Sequence, residues 1–594
     1  MAHRDDNEII ANTHNMARFF TENRHISWVL LFAVLIWGAY SWMSMPKLKD
    51  PEIPVLVAVA ICPWPGADAE QVEQLVTKPM EETIAQNSQL HEPDAGNEFA
   101  ILSTTLPGVA IVQIQLSEGL ADTTQQFNDI NLRLAQLNNQ LPQGAGPIRF
   151  NSGFGNTAAL MLTIASPKET DIELELRANN IGKAITDSRS SFPSSDSERL
   201  SFVVPLPSSV DNTALNNVIE LLTINLLEEG IATEIKQLRG TSFIGLDLTP
   251  LVNEEELFDY ATTFSKEKLG LTSFHIDAWD PVLITDPGET LEKLKAADGD
   301  KYSYRDLENI TELMAETFQT LQEVSIIERS GNLDQRIYLD YSQDVFASYN
   351  ITPAKIKSAL TNRNVTIPGG EVEIGPTEVI VYPSGAFNSV EEIGNVVITE
   401  TQDGTPVYLR DLGDIVRGYQ DPPSLLNFYK WQDESGDWHR SRAITLAVQM
   451  REHQQIGEFG NEMDQALAEM SPLLPADLII AKVSDQKTQT DDNIRLFIKA
   501  LIEAVILVVF VGWLGFREWR SAVLLAVSIP LTLAMTFGFA NILGIEIQQV
   551  SIASLIIALG LLVDDPVVAD DAIKSNLALG HPSIISAWLG PTKL

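Results

Sequence analysis

The segment Leu555–Asp571, LIIALGLLVDDPVVADD, places two adjacent aspartates inside a long apolar run. If the apolar run covered only residues 550–563, a helix of that length would measure roughly 21 Å, too short for the ~30 Å hydrocarbon core of a bilayer. A helix over residues 550–569 is long enough, and it places Asp564 and Asp565 within the bilayer. The alternative, that the pair caps a shorter span at the membrane edge, fits this length less well. The segment therefore predicts a membrane-spanning helix that carries a carboxylate pair.

Carboxylates inside a membrane are costly and are usually functional. Two adjacent ones cannot both ionise readily in a low dielectric, so the pair suits a group that binds a proton from one side and releases it to the other. Pro566 has no N–H for the carbonyl of Leu562 and weakens the helix beside the pair. We predict that Asp564 and Asp565 act as a proton relay rather than as a buried structural pair, and that the acids at 570–571 form the solvated end of the span.

The same acids leave a second interpretation open. The spacing D-D-x-x-x-x-D-D could hold Mg²⁺ on a diphosphate, as aspartate-rich prenyl-transfer motifs do. Such an enzyme needs a second acidic cluster on a facing helix, and the other apolar spans offer only Glu503. A third interpretation is a membrane protein that does not transport and binds a ligand or partner through its external region.

Three further apolar runs, residues 26–45, 496–516 and 521–544, complete a predicted bundle of four spans. The first run is longer than the apolar region of a cleaved signal peptide. Lys499 and Glu503 lie one helical turn apart in the second run and are interpreted as an interfacial ion pair.

The charges that flank the spans predict their orientation. Residues 1–25 are basic close to the first span, and Arg517 and Arg520 fill the short connection between the second and third spans. Positive residues in short loops favour the cytoplasm. We therefore expect residues 1–25 and 570–594 to be cytoplasmic and residues 46–495 to form a large external region.

The composition excludes several classes of function. The formal net charge is −40, with Asp+Glu 80 against Lys+Arg 40, which argues against nucleic acid as a partner. The only cysteine, Cys62, cannot form an internal disulfide or a cysteine-based metal site. No G-x-x-x-x-G-K-[ST] loop occurs, so ATP hydrolysis by this chain is not expected to drive transport.

The external region begins with alternating strand and helix patterns. From Val55 to Ile164 the order is roughly β-α-β-β-α-β, the ferredoxin-like pattern, with Ala158–Ile164 as its last strand and an amphipathic helix over Ala121–Gln140. A second series begins near Asp306. Residues 190–300 fit neither series and are interpreted as an inserted α/β module, which opens with a Ser- and Pro-rich loop at Ser188–Ser209 and contains one long strand-like run, Ile235–Leu248.

Several of these motifs resemble proton-driven efflux pumps of the resistance–nodulation–division (RND) superfamily, acriflavin-resistance type. The resemblance rests on Met16–Phe20 before the first span, on Trp64–Ala69 leading into a helix, on Leu501–Val509 and, most specifically, on Gly560–Asp565 (GLLVDD). It implies that Asp564 and Asp565 carry protons and that the proton gradient, not a cofactor, supplies the energy for exporting small amphipathic compounds.

The resemblance also implies an architecture and partners. Such pumps are trimers in the bacterial inner membrane, with twelve spans per chain in two similar halves and with periplasmic porter and docking subdomains. They extrude substrates through a periplasmic adaptor protein and an outer-membrane channel. By similarity, Val55–Ile164 is the first porter subdomain, Ala121–Gln140 lies near the trimer axis, and residues 330–416 are docking-like.

Two departures from the family pattern follow. The external region is longer than in common drug pumps by roughly the insert at 190–300, and the sequence stops at Leu594, just after the fourth span. The lysine that partners the aspartate pair in the family lies in the second half. We therefore expect a partial chain, or one half of a split pump completed by another polypeptide, that does not transport alone.

Overall fold

The structure is a computed structural model. It describes residues 10, 13–51, 56–92, 99–120, 123–153, 157–192, 199–271, 273–297, 299–364, 371–374, 377–380, 385–401, 403–432, 436–451 and 454–593.

Two helices open the chain, α1 (Met16–Glu22) and α2 (Arg24–Ser44). The side chain of Asn15 caps α1 by accepting a hydrogen bond from the backbone N–H of Arg18 at 2.9 Å. Helix α2 contains the first predicted span, and its length and apolar composition are sufficient to cross a membrane.

The first α/β unit follows, with four strands and their helices in the order β-α-β-β-α-β. Its elements are β1 (Val57–Pro63), α3 (Ala69–Val72), a π-helical turn (Glu73–Thr77), α4 (Lys78–Ile84), β2 (Ile101–Leu106), β3 (Val109–Gln115), α5 (Thr123–Leu137) and β4 (Arg149–Asn151). The sheet is antiparallel in the order β2-β3-β1-β4. Helix α5 buries the predicted stripe, Phe127, Ile130, Leu134 and Leu137, against it.

The prediction of the last strand of this unit was wrong. The sheet is closed by β4, in which Phe150 lies opposite Ala60 of β1, and not by Ala158–Ile164. The predicted strand exists as β5 (Leu160–Ala165), but it belongs to another sheet. Because β5 is almost entirely buried and β4 is short and mostly exposed, the hydrophobic pattern pointed to β5.

The chain then leaves β5 and builds an inserted unit before it returns. The elements of the inserted unit are α6 (Asp171–Arg189), β6 (Leu200–Pro205), α7 (Thr213–Glu228), β7 (Ala232–Gly240), β8 (Phe243–Pro250), α8 (Glu254–Glu267), β9 (Val282–Ile284) and α9 (Thr290–Ala297). Its antiparallel sheet has the order β7-β8-β6-β9, the same relative order as the first unit. Helices α7 and α8 cover one face of the sheet and α6 and α9 the other, which gives two separate cores.

Two sequence interpretations within the inserted unit need correction. The stretch Ser188–Ser209, predicted as a loop, contains the end of α6 and the fully buried strand β6. The run Ile235–Leu248, predicted as one strand, is a hairpin of β7 and β8 in which Gly240 pairs with Phe243. The inserted unit starts and ends at neighbouring points, because Lys168 and Asp300 form an antiparallel bridge.

The second α/β unit resumes with α10 (Tyr304–Gln319) and β10 (Val324–Ser330). It is interrupted again by a smaller unit, β11 (Gln335–Tyr341), α11 (Gln343–Ser348), α12 (Pro353–Arg363), β12 (Glu371–Ile374), β13 (Thr377–Ile380), α13 (Val390–Gly394), β14 (Val397–Glu400), β15 (Pro406–Tyr408) and β16 (Gly413–Tyr419). This smaller unit has its own core and is closed by the pairing of β11 with β16.

The second unit is completed by β17 (Asn427–Gln432), β18 (Trp438–Met450), α14 (Ile456–Met470) and β19 (Ile479–Asp485). Its sheet has the order β10-β18-β5-β19, and β17 extends it along β18. Taken without the two interruptions, its strands and helices follow the same β-α-β-β-α-β order, and its strands lie in the same relative order as in the other two units.

Four helices end the described chain: α15 (Gln486–Phe516), α16 (Trp519–Ile542), α17 (Gln549–Ala578) and α18 (Ser583–Thr592). Among the described residues, three helices are long and apolar enough to cross a membrane, namely α2, α16 and α17. The predicted second span, residues 496–516, lies within α15, which is not one of these three. Helices α2 and α16 pack closely, since a Cβ added to Gly38 would lie 2.4 Å from the Cα of Ala534.

Candidate functional site

Helix α17 carries the two aspartates that the sequence singles out. It has 30 residues, about 45 Å at 1.5 Å per residue, and the side chain of Gln548 accepts a hydrogen bond from Val550 N at its start. Asp564 and Asp565 lie at its midpoint. The helix runs through Pro566 and continues to Ala578, so the pair does not cap the end of a helix.

The side chains of Asp564 and Asp565 are exposed on the surface of α17. Neither forms a hydrogen bond or ion pair with another residue in the part of the chain that the structure describes. The buried contacts of α17 lie elsewhere, with Ile552 and Leu555 packed near the start of the helix against α15 and α16. The midpoint of α17 therefore presents two adjacent acids on a surface that this chain leaves uncovered.

The two acids that follow on α17 differ from each other. Asp571 is exposed, as predicted, but Asp570 is 6 % exposed and was wrongly predicted to be solvated. Asp570 pairs with Lys574 at 3.4 Å, and Lys574 also lies 3.8 Å from Glu518 before α16. The spacing i, i+4 was visible in the sequence, yet the burial comes from the packing of α18 against α17.

The second predicted span contains the expected ion pair. Lys499 Nζ lies 4.0 Å from Glu503 Oε1, and both side chains are mostly exposed. The i, i+4 interpretation is therefore confirmed. A pair of this exposure contributes at most about 0.5 kcal/mol in water.

A second cluster of charges lies among the α/β units, and sequence reasoning missed it. The guanidinium of Arg442 in β18 pairs with Asp277 of the inserted unit and with Asp300, the latter at 3.0 Å. Asp277 also accepts a hydrogen bond from Tyr304 N at 2.8 Å. Burial raises the pKa of Tyr304 to about 12, and burial together with the nearby Asp277 raises the pKa of Tyr419. Four segments that are distant in sequence thus meet at one buried guanidinium, where no local pattern could indicate it.

The contact between the inserted unit and the second α/β unit, which we call the joint, includes a neighbouring group of charges at the surface. Lys301 lies 2.6 Å from both Asp477 and Glu173. The hydrogen bonds that Lys301 donates to Asp477 and Glu173 hold its pKa above the ordinary value of 10.5. Burial alone would raise the pKa of Asp477, but hydrogen bonds from Lys301 and Tyr302 outweigh it and lower that pKa.

Comparison with known proteins identifies the scaffold that carries these sites. The sequence model described as the AcrB/AcrD/AcrF family matches residues 16–187 and 286–584, which is most of the chain. The aspartate pair lies in the second matched segment. Residues 188–285, which make up most of the inserted unit, lie outside the match.

Individual relatives are more distant. The chain is 23% identical over 249 residues to the multidrug resistance protein MdtF of Escherichia coli strain K12, and equally to that of Escherichia coli O157:H7. Each of these matches covers 41% of this chain and 23% of the relative's length. Because the family match covers well over half of the sequence, the chain belongs to the AcrB/AcrD/AcrF family of RND efflux transporters.

Proposed function

We propose that this chain is part of a proton-driven pump that exports small amphipathic compounds, and that Asp564 and Asp565 carry the proton. The observation that carries the proposal is the position of the pair at the midpoint of α17, a helix with the length and composition of a membrane span. Family membership supports transport over the diphosphate enzyme and over the non-transporting binding protein, because RND family members are transporters.

The chemistry of the proposed relay follows from charge in a low dielectric. A carboxylate of the pair binds a proton from the periplasmic side and becomes neutral, and it later releases that proton to the cytoplasm. Each step changes the charge inside the span, where an unpaired ion is costly. Pro566 leaves the carbonyl of Leu562 without its helical donor, so the helix beside the pair is weakened where such a change acts.

The proposed membrane arrangement has four spans, with residues 496–516 of α15 as the second. The ion pair of Lys499 and Glu503 supports this, because a paired Lys and Glu cost less in an interfacial position than two separate ions. Residues 46–495 would then be periplasmic, and residues 1–25 and 570–594 cytoplasmic, in a bacterial inner membrane.

We further propose that the external α/β units are ferredoxin-like porter subdomains and that residues 330–416 are a docking subdomain. The strand order 2-3-1-4, shared by the first, second and inserted units, supports the first assignment. The remaining assignments follow the family: a homotrimer, a periplasmic adaptor, an outer-membrane channel, and further spans supplied by the rest of the pump. The similarity to MdtF, a multidrug resistance protein, suggests drugs as substrates.

The first experiment measures the mass of the protein in native membranes with an antibody against residues 60–140. A band near twice 65.5 kDa, the mass of this chain, is expected if the remaining spans belong to the same polypeptide. A band at 65.5 kDa requires a second polypeptide to complete the pump. If no such polypeptide copurifies, the transport proposal fails.

The second experiment tests the relay in the intact pump. Asp564→Asn and Asp565→Asn are each reconstituted in liposomes, and dye export is driven by an imposed pH gradient. We expect export to fall to the background of empty liposomes, whereas Asp571→Asn, a control on the same helix, retains it. Full export by both relay variants would remove the proposed role of the pair.

A further inference from the structure

Helix α7 of the inserted unit has apolar side chains on two faces. Its inward face is fully buried in the core of the inserted unit through Leu215, Ile219, Leu222 and Leu226. Its outward face carries Leu221, Ile224 and Leu227, which are 47%, 53% and 51% exposed. A surface helix normally has one apolar stripe and a polar opposite face. The outward stripe is therefore not part of the core of this unit.

The apolar surface continues beyond α7. The backbone N–H of Leu251 donates to the carbonyl of Ile231, close to the end of α7, at 2.8 Å, and Leu251 is 58% exposed. Helix α8 lies alongside, where Tyr260 donates a hydrogen bond to Asn225, the neighbour of Ile224. We name this surface the α7 stripe and define it as Leu221, Ile224, Leu227 and Leu251.

Acidic side chains border the α7 stripe. Glu228 and Glu229 end α7, and the first turn of α8, directly after Leu251, contains three further acids, at 254–256. Of these acids, Glu229 has a basic partner in Lys268, at 3.5 Å. An acidic rim repels anionic lipid, and it also repels the identical rim of a second copy placed against it.

The stripe is also free of the scaffold that carries the inserted unit. The first half of α7 reaches toward β11, where Asn217 Nδ2 donates to Asp340 at 3.3 Å. The helical residues of the stripe lie on the second half of α7. All four residues of the stripe fall in the segment that the family match leaves out. The apolar stripe is therefore not part of the sequence pattern that defines the family.

We propose that the α7 stripe binds a second polypeptide chain, through a segment with an apolar ridge flanked by lysine or arginine. The ridge covers the half-exposed side chains of α7, and the basic flanks pair with the acidic rim. Apolar anchors of this kind supply most of the binding free energy of an interface, and charges at the rim supply orientation and specificity.

The test uses the full chain in nanodiscs of zwitterionic phosphatidylcholine and two synthetic helical peptides as probes. Both peptides have leucine at every third or fourth position; one has lysine on the flanks and the other glutamate. We expect the lysine peptide to bind and the glutamate peptide not to bind. Substitution of Leu221→Asn together with Ile224→Asn should weaken binding by about tenfold or more, as fluorescence anisotropy would record.

The control variant is Ile172→Asn together with Leu176→Asn. These residues are 71% and 61% exposed on α6, across the sheet from α7. The control should bind the lysine peptide as the parent chain does. Equal loss in both variants, or binding of neither peptide, overturns the proposal. Thermal midpoints of both variants establish that they are folded.

A second measurement tests the occupant of the stripe. Cys62, the only native cysteine, is buried, so Ile224→Cys supplies the one accessible thiol for crosslinking in native membranes. We expect an adduct with a different polypeptide, in which the crosslinked peptide carries lysine or arginine beside apolar residues. A disulfide-linked dimer of this chain, or an adduct through an acidic segment, contradicts the proposal.

Discussion

Arg442 and Asp277 form a buried ion pair between residues 165 positions apart in the sequence. Arg442 belongs to β18 of the second unit, and Asp277 to the inserted unit. The pair joins the two units at a point from which water is largely excluded, and Asp300 and Tyr304 complete it.

Removing Arg442 should destabilise the joint strongly. Arg442→Ala leaves Asp277 buried without its cation, which costs about 3–5 kcal/mol in comparable buried pairs. The expected result is a lower denaturant midpoint for the inserted unit, followed through the fluorescence of Trp279, which packs in one of its cores. The matched control is Arg440→Ala, two residues away and exposed. It should change the free energy of unfolding by less than about 0.5 kcal/mol. Similar losses in both variants would show that burial of the pair is unimportant.

The surface part of the joint should give a defined pH dependence. The folded pKa of Asp477 lies below its ordinary value of 3.8, so this residue stabilises the fold above that pH and loses its contribution as pH falls through the folded value. The folded pKa of Lys301 lies above 10.5, so its contribution is complete below that pH and is lost as pH rises through the folded value. Asp477→Asn should therefore lower stability between these limits, and its effect should disappear as the pH falls through the folded pKa of Asp477, which lies below 3.8. Thermal midpoints across the pH range measure this, and an unchanged midpoint at pH 7 would contradict it.

The buried pair of Asp570 and Lys574 should show strong coupling. Lys574→Met leaves Asp570 buried without its cation, whereas the double variant with Asp570→Leu removes the uncompensated charge. We expect the double variant to be more stable than Lys574→Met alone, by about 1 kcal/mol or more. A double-mutant cycle of thermal midpoints in detergent measures the coupling, and additive effects would exclude it.

Close packing of α2 on α16 should make Gly38 sensitive to added volume. An added Cβ would lie 2.4 Å from Ala534, so Gly38→Ala forces the two helices apart at a cost of about 1–3 kcal/mol. Gly515→Ala is the control, because nothing lies within 4 Å of a Cβ added there. Retention of the parent thermal midpoint by Gly38→Ala would mean that the helices are not in close contact.

The sequence could predict features that depend on local length and period. The position of Asp564 within one long helix followed from the length of the apolar run, and the buried face of α5 from steps of three and four residues. The pair of Lys499 and Glu503 followed from helical spacing alone.

Features that depend on distant partners could not be read in this way. Strand β6 is buried on both faces by helices from separate segments, while its own neighbourhood is rich in serine and proline. Asp277 and Arg442 have no spacing that links them. The burial of Asp570 depends on α18, which the apolar pattern of α17 does not indicate.

The order of strands in the second sheet has a consequence for the order in which the chain can fold. The first and inserted units are each closed by contiguous stretches, so each can form as soon as its last strand has emerged. Strand β5, in contrast, must wait for β18, which is synthesised about 280 residues later, and then for β19. Until then the backbone edges of β5 are unpaired, and the units that have already folded can shield them from other chains.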